Sequence, residues 1–95
     1  MKEVIISNLA KKENANNTDY IFSEFGIDIT LKYLDKFDEV ISLLETGFYT
    51  GIYEKKFNFY KILVVKQIYI LYENLDDNTI LIFSVWNNKK LPYWF

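Results

Sequence analysis

The chemistry open to this chain is that of lysine, tyrosine and carboxylates. All 11 basic residues are Lys; Arg, His and Cys do not occur. Without Cys there is no disulfide, thiolate zinc site or cysteine nucleophile. Without His the usual general base and the usual metal ligand are missing, and without Arg no side chain can clamp a phosphate in bidentate fashion. Lys55, Lys56, Lys61, Lys66, Lys89 and Lys90 fall together in the second half of the chain, where they would make a patch for phosphate. Trp86-Asn87-Asn88 sets a ring beside two amides, a pattern that can stack a base, although an aromatic ending a strand more commonly packs. Asp76-Asp77-Asn78 gathers carboxylates without the spacing or turning Gly of a calcium loop, and reads as a turn. Gly26, Gly47 and Gly51 are isolated, so no glycine-rich phosphate loop exists. Neither a metal nor a cofactor is expected. A net charge of −2 and a pI near 5.0 run against a non-specific nucleic-acid binder.

The elements that position these residues must come from one domain, because 95 residues cannot divide a core between two. A chain of this size buries only about 60–65% of its unfolded surface, so its core must be dense. The content of 51% hydrophobic and 19% aromatic residues meets that demand. Apolar runs such as Ile80-Leu81-Ile82-Phe83 are strand-sized and cannot span a bilayer. The apolar patch near the N-terminus is too short for a secretory signal. The expectation is a cytoplasmic protein with no membrane contact.

Glu3 to Ser7 is short, β-branched and apolar, and reads as a strand. Asn8 to Phe25 reads as a helix with an uneven pattern. Asn14-Ala15-Asn16-Asn17-Thr18 is rich in weak helix formers, so its turns either fray or are held by neighbouring structure. Gly26 marks a joint. Ile27, Leu31, Leu34, Phe37, Ile41, Leu44 and Phe48 then form a helical stripe, widened by Tyr33 and Val40, with Asp28 as the expected N-cap and Gly47 just past the end. So short a link folds the two helices into a hairpin. Strands are expected from Phe57 to Lys66, from Ile68 to Glu73 after the tight turn Lys66-Gln67, and from Thr79 to Trp86. The sum is an α+β domain: β-αα-βββ, a helical hairpin on a mainly antiparallel four-stranded sheet.

Ile62 to Val65, Ile68 to Tyr72 and Ile80 to Phe83 do not alternate apolar with polar, so both faces of the sheet are apolar. One hairpin covers one face. The other must meet the aromatic tail Pro92-Tyr93-Trp94-Phe95, a second copy of the chain, or a partner protein.

In this order and spacing the chain resembles the RelE/ParE superfamily of toxins from bacterial type II toxin–antitoxin systems. Val4-Ile5-Ile6-Ser7-Asn8-Leu9-Ala10 is similar to the family's opening strand and helix start, and Tyr20-Ile21 with Phe25-Gly26 to its hinge. Phe48-Tyr49-Thr50-Gly51 stands where the family turns after its helices. Tyr60-Lys61-Ile62-Leu63-Val64 and Ile70-Leu71-Tyr72-Glu73 resemble its core strands, and Val85-Trp86-Asn87-Asn88-Lys89-Lys90-Leu91-Pro92 its terminal motif. The resemblance spans nearly the whole chain.

It implies a small cytoplasmic protein neutralised by a cognate antitoxin that wraps helix and sheet surfaces by coupled folding. Tyr60, Tyr69, Trp86, Asn87, Lys90 and Trp94 are then the expected contacts with antitoxin or target. RelE-like members cleave mRNA on the ribosome, and for that activity the resemblance points to Lys61, Lys89 and Tyr93. Tyr60, next to Lys61, stands where that branch carries Arg. ParE-like members inhibit DNA gyrase by binding. The missing His and Arg favour the ParE-like branch. The mRNA endoribonuclease is the alternative, and a non-toxic relative that only binds antitoxin is a third reading.

Overall fold

The computed structural model describes residues 1–88. Its elements are β1 (Glu3–Ile6), α1 (Asn8–Phe25), α2 (Ile27–Thr46), β2 (Ile52–Glu54), β3 (Phe59–Val65), β4 (Ile68–Asp76) and β5 (Thr79–Asn87). The two helices pack on one face of a five-stranded mixed sheet of order β1-β5-β4-β3-β2. β1 runs parallel to β5, and the other pairs are antiparallel. The α+β class and the hairpin hold, but the expected four-stranded sheet is corrected to five. The added strand is β2, whose three residues are too short to declare a period of two in sequence. No helix among the described residues is long and apolar enough to cross a membrane.

Ser7 ends β1 and caps α1, its Oγ accepting the Ala10 amide at 3.0 Å. Gly26, at φ 83°, is the single residue between the helices. It occupies the N-cap of α2 itself, so Asp28 is not the cap. Asp28 lies in the first turn, where its charge faces the positive end of the helix dipole. Gly47, left-handed at φ 77°, ends α2 as expected.

The buried face of α2 is Thr30, Tyr33, Phe37, Val40 and Leu44. The expected stripe is therefore rotated: Tyr33 and Val40, its flanks, are the centre, while Ile27, Leu31 and Phe48 are exposed, Phe48 by 95%. Spacings of three and four about Phe37 carry the face through 30, 33, 37, 40 and 44, and Phe48 lies past the Gly47 stop. With Ile21 of α1, these side chains pack on Val64, Ile62, Ile70, Tyr72, Ile82 and Val85 of the sheet.

Asn14 and Asn17 of α1 have a structural task. The β4–β5 register shifts at Leu71/Tyr72, whose partners are Ser84 and Ile82, so Phe83 is an extra residue in β5. β1 pairs β5 only as far as Ile6 with Ile82. Beyond that point the β5 edge has no strand beside it, and side chains take the strand's place. Ser7 donates from its amide to the Ile82 carbonyl at 2.9 Å and from its Oγ to the Phe83 carbonyl at 3.3 Å. Glu13 Oε1 accepts the Val85 amide at 3.1 Å and the Ser84 hydroxyl at 2.8 Å. Asn17 Nδ2 donates to the Val85 carbonyl at 3.1 Å. Asn14 Oδ1 accepts the Tyr33 hydroxyl at 2.5 Å, tying α2 into the same seam. The uneven stretch is thus held by neighbouring structure. Burial pushes the Tyr33 phenol above its ordinary range, and the Asn17 amide offsets only part of this.

Asn17→Ala strands the buried Val85 carbonyl and is expected to cost about 1–3 kcal/mol in urea unfolding. Asn16→Ala, at the exposed next position, should be neutral or slightly stabilising, because Ala is the better helix former.

Candidate functional site on the sheet face away from the helices

Strand pairing sorts the expected site residues between two faces. Tyr60 pairs with Tyr72, and Asn87 with Ile68, both members of the core under the helices. Directly opposed residues share a face. Tyr60 and Asn87 therefore lie on the helix side. Lys61, Tyr69 and Trp86 lie on the other. The expected contact set is divided by the sheet, because alternation along β3 separates Tyr60 from Lys61 and alternation at the end of β5 separates Trp86 from Asn87. Lys89, Lys90, Tyr93 and Trp94 lie outside the described residues, as does the tail expected to cover this face.

On the far face Tyr69 and Trp86 stack with ring centroids 6.0 Å apart, and Lys61 Nζ stands 5.7 Å from the centre of the Tyr69 ring. Lys61 Nζ also meets Glu54 Oε2 at 3.4 Å. This cation is committed to a carboxylate and a ring, and a phosphate would have to displace Glu54. Phe57 stacks near Phe59 at 6.2 Å, and Phe59 meets Phe83 edge-on at 5.6 Å. Phe59 and Leu71 are buried without belonging to the helix-side core, so this face holds an apolar layer of its own. Ile52, 68% exposed, and Leu63, 50% exposed, extend that layer to its rim.

Ile52, Glu54, Phe57, Phe59 and Phe83 were not among the expected site residues. The signal for the first three was the run Ile52-Tyr53-Glu54-Lys55-Lys56-Phe57-Asn58, a short hairpin arm whose turn closes on Asn58 at φ 59°. Among the described residues the lysines of this half do not gather. Lys55 and Lys56 sit before β3 and Lys66 after it, separated by a seven-residue strand of roughly 20 Å. Lys56 lies over the Phe57 ring at 5.3 Å.

On the helix side, a row of tyrosines crosses three strands. Tyr53 and Tyr60 centroids are 5.0 Å apart, and Tyr60 and Tyr72 stack at 5.3 Å. The Tyr53 hydroxyl donates to Asn58 Oδ1. The Tyr72 hydroxyl accepts the Gly51 amide at 2.8 Å. Gly51 also lies close against β3, where a Cβ would stand 2.5 Å from the Lys61 carbonyl oxygen. Burial raises the Tyr72 phenol above its ordinary value. The Gly51 amide lowers it, and neighbouring Tyr60 and Tyr49 raise it further.

Among the described residues no three carboxylates converge as a metal site. The arrangement is one of contact: stacked rings, apolar rims and a neutralised cation. No known protein family and no curated protein matches this sequence.

The Tyr72 shift fixes a pH dependence. The folded chain keeps this phenol neutral above the value of 10.0 at which it ordinarily ionises, so unfolding releases a proton there and stability falls as pH rises past that value. Tyr72→Phe should lose about 1 kcal/mol at neutral pH with the acceptor of the Gly51 amide, yet decline less steeply in alkali, where Tyr33 alone of the two remains. Denaturant midpoints across an alkaline pH series test this, and an unchanged slope in the variant would contradict it.

Proposed function

We propose that this protein is the toxin of a bacterial type II toxin–antitoxin pair, of the ParE-like kind. On this reading it acts in the cytoplasm by binding an essential protein target such as DNA gyrase, and an antitoxin encoded beside it neutralises it. The observation that carries the reading is the far face of the sheet, which is lined by stacked aromatic rings and bordered by exposed Ile52 and Leu63. An apolar rim of this kind is what a wrapping partner covers. The order β-αα-ββββ, with the hairpin on one face, supports a RelE/ParE-like fold enlarged by the short strand β2.

Binding is favoured over cleavage because Lys61 is already paired with Glu54, and Lys55, Lys56, Lys61 and Lys66 are spread along β3. The RelE-like reading, a ribosome-dependent mRNA endoribonuclease using Lys61, Lys89 and Tyr93, keeps one support: Lys61 shares a face with Trp86, and β5 leads on to Lys89. The non-toxic reading loses its argument from the asparagine-rich helix, since Asn14 and Asn17 both make structural hydrogen bonds.

Induction of the protein alone should arrest growth, and co-expression of the product of the adjoining reading frame should restore it. Purified protein should leave plasmid relaxed in a gyrase supercoiling assay. Unchanged growth would refute both toxin readings. Ribosome-dependent mRNA cleavage that Lys89→Ala abolishes would replace the ParE-like reading with the RelE-like one.

A further inference from the structure

Leu71 is 0% exposed, although it stands on the sheet face that the helices leave open. Its partner across the strands, Lys61, and its neighbours Tyr69 and Glu73 along β4 share that face. Side chains so placed stand about 5–8 Å to the side. They screen the flanks of a leucine and leave its methyl end open from above. The burial is that of the single chain, so the cover belongs to the chain itself.

Among the described residues no element supplies that cover. The helices and the link from α2 to β2 lie on the other side, where the Gly51 amide reaches the Tyr72 hydroxyl. The turn before β3 brings Phe57 to Phe59 at 6.2 Å, but Phe57 is itself 48% exposed and shelters β3, not β4. Met1 is 99% exposed.

Residues 89–95 remain. Asn88, whose amide donates to the Gln67 carbonyl at 2.6 Å, holds their start beside the β3–β4 turn, at the end of the sheet. Leu71 lies about 10 Å down β4 from Ile68. Phe59 lies beyond Lys61 on β3, which adds about 7 Å. An extended segment of this length reaches about 23 Å, enough for both. Its sequence suits an apolar face: Leu91, Pro92 and three consecutive rings, Tyr93, Trp94 and Phe95. Pro92 carries no N–H that such a face would leave unpaired.

We propose that residues 89–95 fold back over the far face as a strap, with the rings of Tyr93, Trp94 and Phe95 above Leu71 and Phe59. The strap closes the centre of the face and leaves its rim, where Ile52 and Leu63 stay half or more exposed. On the toxin reading, which the strap does not require, the partner meets this rim and the strap's outer side and not a bare sheet.

Methyl NMR of the full chain, with leucine methyls labelled in half of the molecules, tests the strap. The Leu71 methyls should show nuclear Overhauser contacts to the ring protons of Tyr93, Trp94 or Phe95 within one molecule. Contacts found only between labelled and unlabelled molecules overturn the proposal in favour of a second copy. No contact to these rings overturns it outright. The full-length variant carrying Tyr93→Ser, Trp94→Ser and Phe95→Ser should shift the Leu71 methyls and bind 8-anilinonaphthalene-1-sulfonate severalfold more. The Ile82 and Val85 methyls of the helix-side core should stay in place. Leu71 methyls that do not move in this variant contradict the strap. Growth arrest reads the toxin proposal separately, so either can fail without the other.

Discussion

The edge of β5 beyond the end of β1 is the constraint on which the rest of the structure depends. A bulge at Phe83 turns the backbone groups of Val85 toward α1, where no strand remains to pair them. Buried backbone groups must find partners, and here Glu13 and Asn17 provide them. The helix is thereby fixed in rotation as well as position. Once α1 is set, Asn14 receives the Tyr33 hydroxyl and α2 is set in turn. Hydrophobic burial supplies the drive for packing, but it is non-directional. The polar seam supplies the register.

With both helices committed to one face, the opposite face is left to other covers. Its rings are already arranged in pairs, Tyr69 with Trp86 and Phe59 with Phe83, and its cation is spoken for by Glu54. A surface organised in this way offers contact area and shape more readily than proton transfer or phosphate binding. The same division explains why the tyrosine row on the helix side serves structure. Tyr72 holds Gly51, and with it the approach to β2.

Much of this was legible in the sequence. The limits of α1, the joint at Gly26, the stop at Gly47 and the turn at Lys66-Gln67 each rest on local chemistry that a single stretch of chain declares. What was hidden depends on pairing. β2 is three residues long and exists because β3 lies beside it. The buried face of α2 is decided by what it packs on, so Thr30 is inside while Ile27 and Leu31, better hydrophobes, are outside. The face on which Trp86 and Asn87 stand depends on a bulge in β5 that no composition reveals, since Phe83 looks like any other strand residue. Asn14 and Asn17 read as weak helix formers because their partners lie elsewhere in the chain, the Tyr33 hydroxyl of the next helix for Asn14 and a backbone carbonyl 68 residues away for Asn17.

Amide hydrogen exchange at Val85 tests the account most directly. If Glu13 and Asn17 stand in for a missing strand, this amide exchanges as slowly in the native chain as those of the β4–β5 ladder, such as Tyr69, which is paired with Trp86, and Glu13→Ala releases it while Tyr69 stays protected. Rapid exchange at Val85 in the native chain, or protection that survives Glu13→Ala, would contradict it.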